Sequence, residues 1–365
     1  MLWEFNAIME IDNLSDRQSV SDEISKCISS LRYLLVVFVV FIHSTFSTSR
    51  IEGFHNEGVD IIFADDLFAN LIQRFLTDGI CRCAVPLFFF ISGYLALKRS
   101  HNFVTLLIKK IKSILVPYFV WLLIPIPFFC LKIDISKFSL LDWEKYFLGY
   151  GNSLTMPGMV HLWFLRDLFI VSLLLPVICF LIKRIPREFF ILLVVLYFHK
   201  INFLSFNDRI GTALFYFSLG CYASFYDFDF IDFAKKLNLI IAFVIFTITF
   251  TFFYRFEDFF LQKFLEIEAS LIILKISSYL VKNIKLFSFL KYLSGFSFFL
   301  YAIHYMPFYT ILMVKWVKVF PMVNGFWQLF EYFGFSIFII FVDTLIGITL
   351  KKVCPPVFRF LNGGR

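Results

Sequence analysis

The sequence predicts an all-α fold that crosses a membrane repeatedly, and three observations carry that prediction. Hydrophobic residues make up 60% of the 365 and charged residues 17%, where soluble domains hold about 45–50% and 25%. A soluble chain must keep a polar shell, whereas a bilayer tolerates an apolar exterior. The apolar residues gather in stretches near the roughly 20-residue length a helix needs to cross a hydrocarbon core of about 30 Å. Lys and Arg collect in alternate connections between those stretches.

Ten stretches qualify, at residues 31–48, 80–97, 113–131, 161–182, 188–204, 210–226, 237–254, 264–281, 296–316 and 327–350. His199 with Lys200 truncates the fifth, and Lys275 interrupts the eighth. A cytoplasmic N-terminus places Lys98, Arg99, Lys109, Lys110 and Lys112, then Lys183, Arg184 and Arg187, then Lys235 and Lys236, inside the cell. Lys282, Lys285, Lys291 and the tail cations Lys351, Lys352, Arg359 and Arg365 follow the same rule. Outer connections mix their cations with acids, as in 132–145. Positive charge therefore falls inside, and both termini are expected to be cytoplasmic.

Residues 1–30, with Glu4, Glu10, Asp12, Asp16, Asp22 and Glu23, read as a mobile cytoplasmic tail, since a cleavable signal needs a basic start. Residues 31–350 form the membrane domain and 351–365 a cytoplasmic C-terminal tail. The net charge of +7 is then the positive-inside excess, and no nucleic-acid signature accompanies it. The seven Cys are scattered, mostly in apolar stretches, and read as small core residues. The Cys81/Cys83 pair lacks a second pair or a nearby His, which disfavours zinc. No two His have the close helical spacing of a ligand pair, so no metal is expected. His55 and His101 read as solvated loop residues. No internal repeat is visible, against transporter folds built from two similar halves.

Ionisable side chains inside a spanning helix are costly and mark functional candidates. The first stretch carries Arg32 and His43. A separation of 11 residues leaves them within ~20° of one helix face and ~16 Å apart. Imidazole titrates near neutral pH, which suits a general base; guanidinium holds phosphate or carboxylate by paired hydrogen bonds. On spacing alone a second reading stands beside this one, with Arg32 a positive-inside anchor and His43 bonded to a neighbouring helix.

The second stretch runs from Arg82 through Pro86 to Ser92-Gly93-Tyr94. Its Pro and Gly loosen the helix and permit close approach of another segment. The following basic segment, Lys109, Lys110 and Lys112 before Pro117-Tyr118, suits the phosphates of a nucleotide-like cofactor or lipid headgroups. The fourth stretch opens His161-Leu-Trp163-Phe-Leu-Arg166-Asp167. Trp163 is an interfacial anchor; Arg166 and Asp167 either neutralise each other or line a polar cavity. The ninth stretch puts Tyr301 and His304 on one face at three-residue spacing.

Together these segments resemble the integral membrane acyltransferase family 3, the acyltransferases of bacterial surface-glycan modification. The matching motifs are Arg32-x10-His43, Phe89-Phe90-Ile-Ser92-Gly93-Tyr94, Lys109 to Tyr118, His161 to Leu165 and Ser297 to His304. They occur in the family's order across most of the chain. One departure is that the basic segment is all Lys where Arg is common, which keeps point-charge phosphate binding and gives up the bidentate kind.

The resemblance implies ten helices in a bacterial cytoplasmic (inner) membrane and O-acyl transfer from cytoplasmic acyl-CoA, usually acetyl-CoA. The acceptor is a hydroxyl of a lipid-linked sugar or cell-surface glycan. It implies that His43 is the base or a transient acyl carrier and that Arg32 is essential. Arg32, Ser92, Lys109, Lys110 and Lys112 then hold the donor, while Arg82, His161, Trp163, Arg166, Tyr301 and His304 line the substrate cavity. Two other classes compete: a glycan or lipid-linked sugar exporter with Arg32, His43 and Arg166 along its pathway, and a membrane assembly protein without chemistry. Release of free coenzyme A thiol separates the first reading from both.

Overall fold

The computed structural model describes residues 20–44, 66–99, 103–130, 137–148, 159–199, 209–305, 307–321 and 323–364. Residues 1–19 and both His55 and His101 lie outside the described residues. Every regular element among the described residues is helical. The chain is an all-α polytopic membrane protein. Among the described residues, five helices are long and apolar enough to cross a membrane: α1 (Asp22–His43), α2 (Leu67–Lys98), α3 (Phe103–Phe128), Leu239–Phe256 and Gly325–Val353. Two bent pairs raise that number to as many as seven.

Between α3 and the end of the chain stand α4 (Leu140–Leu148), α5 (Trp163–Leu173), α6 (Leu175–Arg184), α7 (Pro186–Phe198) and α8 (Arg209–Phe225). Then come α9 (Phe230–Lys235), α10 (Leu239–Phe256), α11 (Phe259–Leu280), α12 (Ile284–Ser294) and α13 (Ser297–Ile303). The last three are α14 (Pro307–Val319), α15 (Gly325–Val353) and α16 (Pro355–Leu361).

Local chemistry marks the ends. Side chains of Ser21, Asp66, Asn238, Asp258, Asn283 and Asn324 accept backbone N–H groups at the starts of α1, α2, α10, α11, α12 and α15, satisfying donors that have no intrahelical partner. Pro stands in the first turn of α6, α7 and α16, where its missing N–H is harmless.

Several boundaries differ from those the sequence suggested. α1 begins at Asp22, and Ile24, Cys27, Ile28 and Ser30 are buried, so residues 22–30 of the expected tail belong to the helix. Lys109, Lys110 and Lys112 lie in helical turns of α3 instead of a loop. The fifth stretch stops at Phe198, with His199 extended. The C-terminal residues are folded back rather than trailing: Phe358 and Asn362 are buried, and Asn362 accepts from Phe299 N–H at 3.0 Å and donates to the Gly295 carbonyl at 3.0 Å. Lys275, which seemed to interrupt the eighth stretch, caps a neighbour: its ammonium donates to the carbonyls of Lys235 and Leu237 at the end of α9.

The largest correction concerns the ninth stretch, expected as one helix over 296–316. It is two, α13 and α14, parted at His304 and Tyr305. Pro307 has no N–H to donate to a carbonyl four residues back, so the helical bonding cannot run through it. α12 and α13 are themselves bent by 54°, as α5 and α6 are by 53°.

α1 runs through the middle of the bundle, packed against α2, α11, α12, α13 and α15. α2 and α8 pack backbone to backbone at Gly93 and Gly220. The two ends of the bundle differ. At one end, Glu23 of α1 pairs with Lys235 at 2.6 Å and Lys98 of α2 pairs with Asp227. At the other lie His43 and the starts of α2 and α15, joined by Gln328 donating to Asn70 at 2.7 Å.

Candidate active site

The helix break between α13 and α14 builds the site. The last carbonyls of a helix lack intrahelical donors, and in α13 two imidazoles serve them. His304 Nδ1 lies 2.8 Å from the Tyr301 carbonyl oxygen, and His161 Nε2 lies 3.2 Å from that of Ala302. The Tyr301 hydroxyl returns a hydrogen bond to the His161 carbonyl. α13 and the entrance to α5 are thereby locked together.

Against this pair stands the end of α1. His43 Nδ1 is 2.9 Å from His304 Nε2, and the two rings stack with centroids 5.1 Å apart and planes 19° apart. The His161 ring meets His304 edge-on at 4.8 Å and His43 at 6.4 Å. His161 and His304 are buried, at 2% and 1% exposure, so bulk water does not compete for their hydrogen bonds. His43 is half-buried. Nδ1 of His161 is buried and finds no partner among the described residues.

Two residues that sequence reasoning missed complete the surround. Tyr305 sits with its ring 4.9 Å from that of His43. The Tyr309 hydroxyl donates to the His43 carbonyl at 2.6 Å and lies 3.3 Å from Ser44 Oγ, which anchors the end of α1. Both sit at the break, and Pro307 was the signal that could have located it.

Of the residues predicted from sequence, His43, His161, Tyr301 and His304 come together. Trp163 is one turn away, with its ring against Phe89 at 6.5 Å and the Arg209 guanidinium 4.9 Å above it. Arg32 is half-buried on α1, and the unbroken helix sets it ~16 Å from His43. Arg32 stands at the middle of α1, and Ser92 lies on the stretch of α2 that leads to the Lys98–Asp227 pair. Lys109 and Lys112 are exposed. Lys110 is within electrostatic reach of Cys221, whose thiol is 3.6 Å from the Gly93 carbonyl oxygen.

Two of the residues expected at the cavity are held in ion pairs. Arg82 is 3.0 Å from Asp78, and the same carboxylate takes Arg74 at 3.2 Å, so Arg82 joins a half-buried ion network. Arg166 clasps Asp167 at 2.7 Å and donates to the Leu148 carbonyl at 2.6 Å, tying α5 to α4. Asp167 is 1% exposed, so removing its cation leaves a buried charge, a change costing about 3–5 kcal/mol. Arg166→Met is therefore expected to lower the thermal unfolding midpoint of the detergent-purified protein, and Arg166→Met with Asp167→Leu to recover most of it. A residue needed only for substrate would show neither effect.

A model of the acyltransferase domain matches residues 26–350. The chain is 26% identical over 217 residues to "Succinoglycan biosynthesis protein ExoH" of Rhizobium meliloti (strain 1021), covering 55% of this chain and 54% of that protein. The match thus spans about half the length of that relative. No solved structure matches.

Proposed function

The chain belongs to the acyltransferase family, and on that premise we propose that it moves an acyl group from acyl-CoA to a hydroxyl of a lipid-linked or cell-surface glycan, with His43 as the base. The observation that carries this reading is a half-buried imidazole, held by a second imidazole at 2.9 Å, on the same helix face as an arginine ~16 Å away. An elongated donor with phosphates at one end and a thioester at the other fits that separation. The relative's role in succinoglycan biosynthesis supports a polysaccharide acceptor, and acetyl is the acyl group we propose.

In this reading both termini are cytoplasmic, the protein lies in the bacterial cytoplasmic (inner) membrane, and the end of the bundle opposite His43 faces the donor. Arg32, Lys109, Lys110 and Lys112 hold the phosphates of the donor, with Ser92 beside them. His43 takes the proton of the acceptor hydroxyl as its oxygen attacks the thioester carbonyl. The new C–O bond forms, the C–S bond breaks with its electron pair moving to sulfur, and the His43 imidazolium returns the proton to the thiolate. The products are an O-acyl ester and free coenzyme A thiol, with no net redox change.

The test is thiol release. Nanodisc-embedded protein given acetyl-CoA and the membrane glycan fraction is expected to release free thiol in step with acceptor; an exporter would release none. Lys109, Lys110 and Lys112 changed together to Gln are expected to raise KM for acetyl-CoA by roughly tenfold, the worth of one charge-assisted hydrogen bond, with kcat little changed. The wild-type KM is expected to rise with ionic strength, because exposed cations are screened.

A further inference from the structure

His304 takes no part in the transfer step described above, yet it holds a direct contact with His43. We infer that His304 is a positioning residue that sets the tautomer of His43 and so decides which of its nitrogens can accept a proton. The inference rests on the reading of His43 as the base.

The series of hydrogen bonds starts at the break after α13. The Tyr301 carbonyl lies among the last four of that helix, with no helical donor of its own, and His304 Nδ1 is 2.8 Å from it. A carbonyl oxygen only accepts, so His304 Nδ1 carries the hydrogen, and a neutral imidazole with Nδ1–H presents a lone pair at Nε2. That Nε2 is 2.9 Å from His43 Nδ1. Two lone pairs cannot bond, so His43 Nδ1 donates and the lone pair of neutral His43 resides on Nε2.

The neighbouring His161 and Tyr309 are engaged elsewhere. His161 spends its Nε2–H on the Ala302 carbonyl and meets the other two rings edge-on. Tyr309 bonds the His43 backbone carbonyl instead of its ring. At 1% exposure, His304 is shut off from water that could reset its bonds. The arrangement also survives turnover: once His43 Nε2 has taken the hydroxyl proton, its Nδ1–H still points to His304 Nε2. The proton taken up on Nε2 is then placed to return to the thiolate. Second-sphere bonds of this kind fix both tautomer and ring orientation in other histidine sites.

The experiment uses the full chain in nanodiscs with 15N-labelled histidine, where protonated and bare ring nitrogens resonate far apart; His43 is assigned by its loss in His43→Ala. Wild-type His43 is expected as the Nδ1–H tautomer. In His304→Leu it is expected to turn to Nε2–H, the form free histidine favours in water, with acetyl-CoA-dependent acylation of the membrane glycan fraction falling by on the order of 100-fold. In His304→Gln, whose side-chain oxygen accepts, the Nδ1–H form and most of the transfer are expected to return. An Nε2–H tautomer in the wild type, or an unchanged tautomer in His304→Leu, overturns the inference; if His304→Leu does not insert, the wild-type and His304→Gln spectra still decide it. A tautomer that switches as expected while transfer keeps its wild-type rate overturns instead the assignment of His43 as the base, and with it the catalytic consequence drawn here.

Discussion

Replacing His43 with Ala is expected to lower acyl transfer by about 10²–10⁴-fold, the range that a positioned general base supplies. The protein should still insert and fold. The packing of α1 depends on Leu31, Leu35, Val36, Val39 and Val40, all buried, and His43 stands beyond them at the last turn. One structural cost falls on His304, whose Nε2 loses its 2.9 Å partner; leaving one buried acceptor unmet costs about 1–3 kcal/mol. His43→Gln separates the two effects. Its amide can donate to His304 but cannot take a proton at neutral pH, so it is expected to recover the unfolding temperature without recovering transfer. Rates from thiol release and unfolding midpoints on the same nanodisc samples check both halves.

The second large effect is structural. A Cβ at Gly93 would stand 2.0 Å from the Phe217 carbonyl oxygen, and one at Gly220 would stand 2.0 Å from that of Phe90. Ordinary contact begins at 3.4 Å, and the obstacle each time is backbone, so no side chain can rotate aside. α2 and α8 would have to move apart along their whole contact. Small residues that let membrane helices approach closely are the main source of their association, since lipid is as apolar as the helices themselves. Gly220→Ala and Gly93→Ala are each expected to lower the unfolding midpoint sharply, by more than the about 1–3 kcal/mol of an overpacked flexible core. Gly295→Ala is the control, because a Cβ there meets its nearest neighbour at 3.4 Å. Size-exclusion profiles of the detergent-extracted variants after heating give the comparison.

Part of the candidate site's arrangement is legible in the sequence. The period of an α-helix puts Arg32 and His43 on one face, and α1 is unbroken over that span. His161, Tyr301 and His304 were also legible as residue types that a membrane helix should not carry. What could not be read was their meeting. His43 and His304 are 261 residues apart in sequence, and no helical period links separate helices. Other misses had visible causes. Pro307 inside the ninth stretch announces the break that frees the Tyr301 and Ala302 carbonyls, but the apolar run on either side of it masks that signal. Asp78 stands four residues before Arg82, the spacing of an ion pair along a helix, which already pointed to a structural role. The fold-back of Asn362 onto α13 had no local signature, because it depends on where two distant helices come to lie.

The central claim is that His43 drives transfer of an acyl group onto a glycan, and its most direct test is the mass of the glycan itself. Surface and lipid-linked glycans from cells carrying the wild-type gene, the His43→Ala gene or no gene are compared by mass spectrometry, with membrane levels of the two proteins matched. The account predicts glycans heavier by one acyl unit per modified residue in the wild type alone, with the His43→Ala spectrum the same as that of cells lacking the gene. Full acylation in His43→Ala cells, or glycans of equal mass in all three, would contradict it.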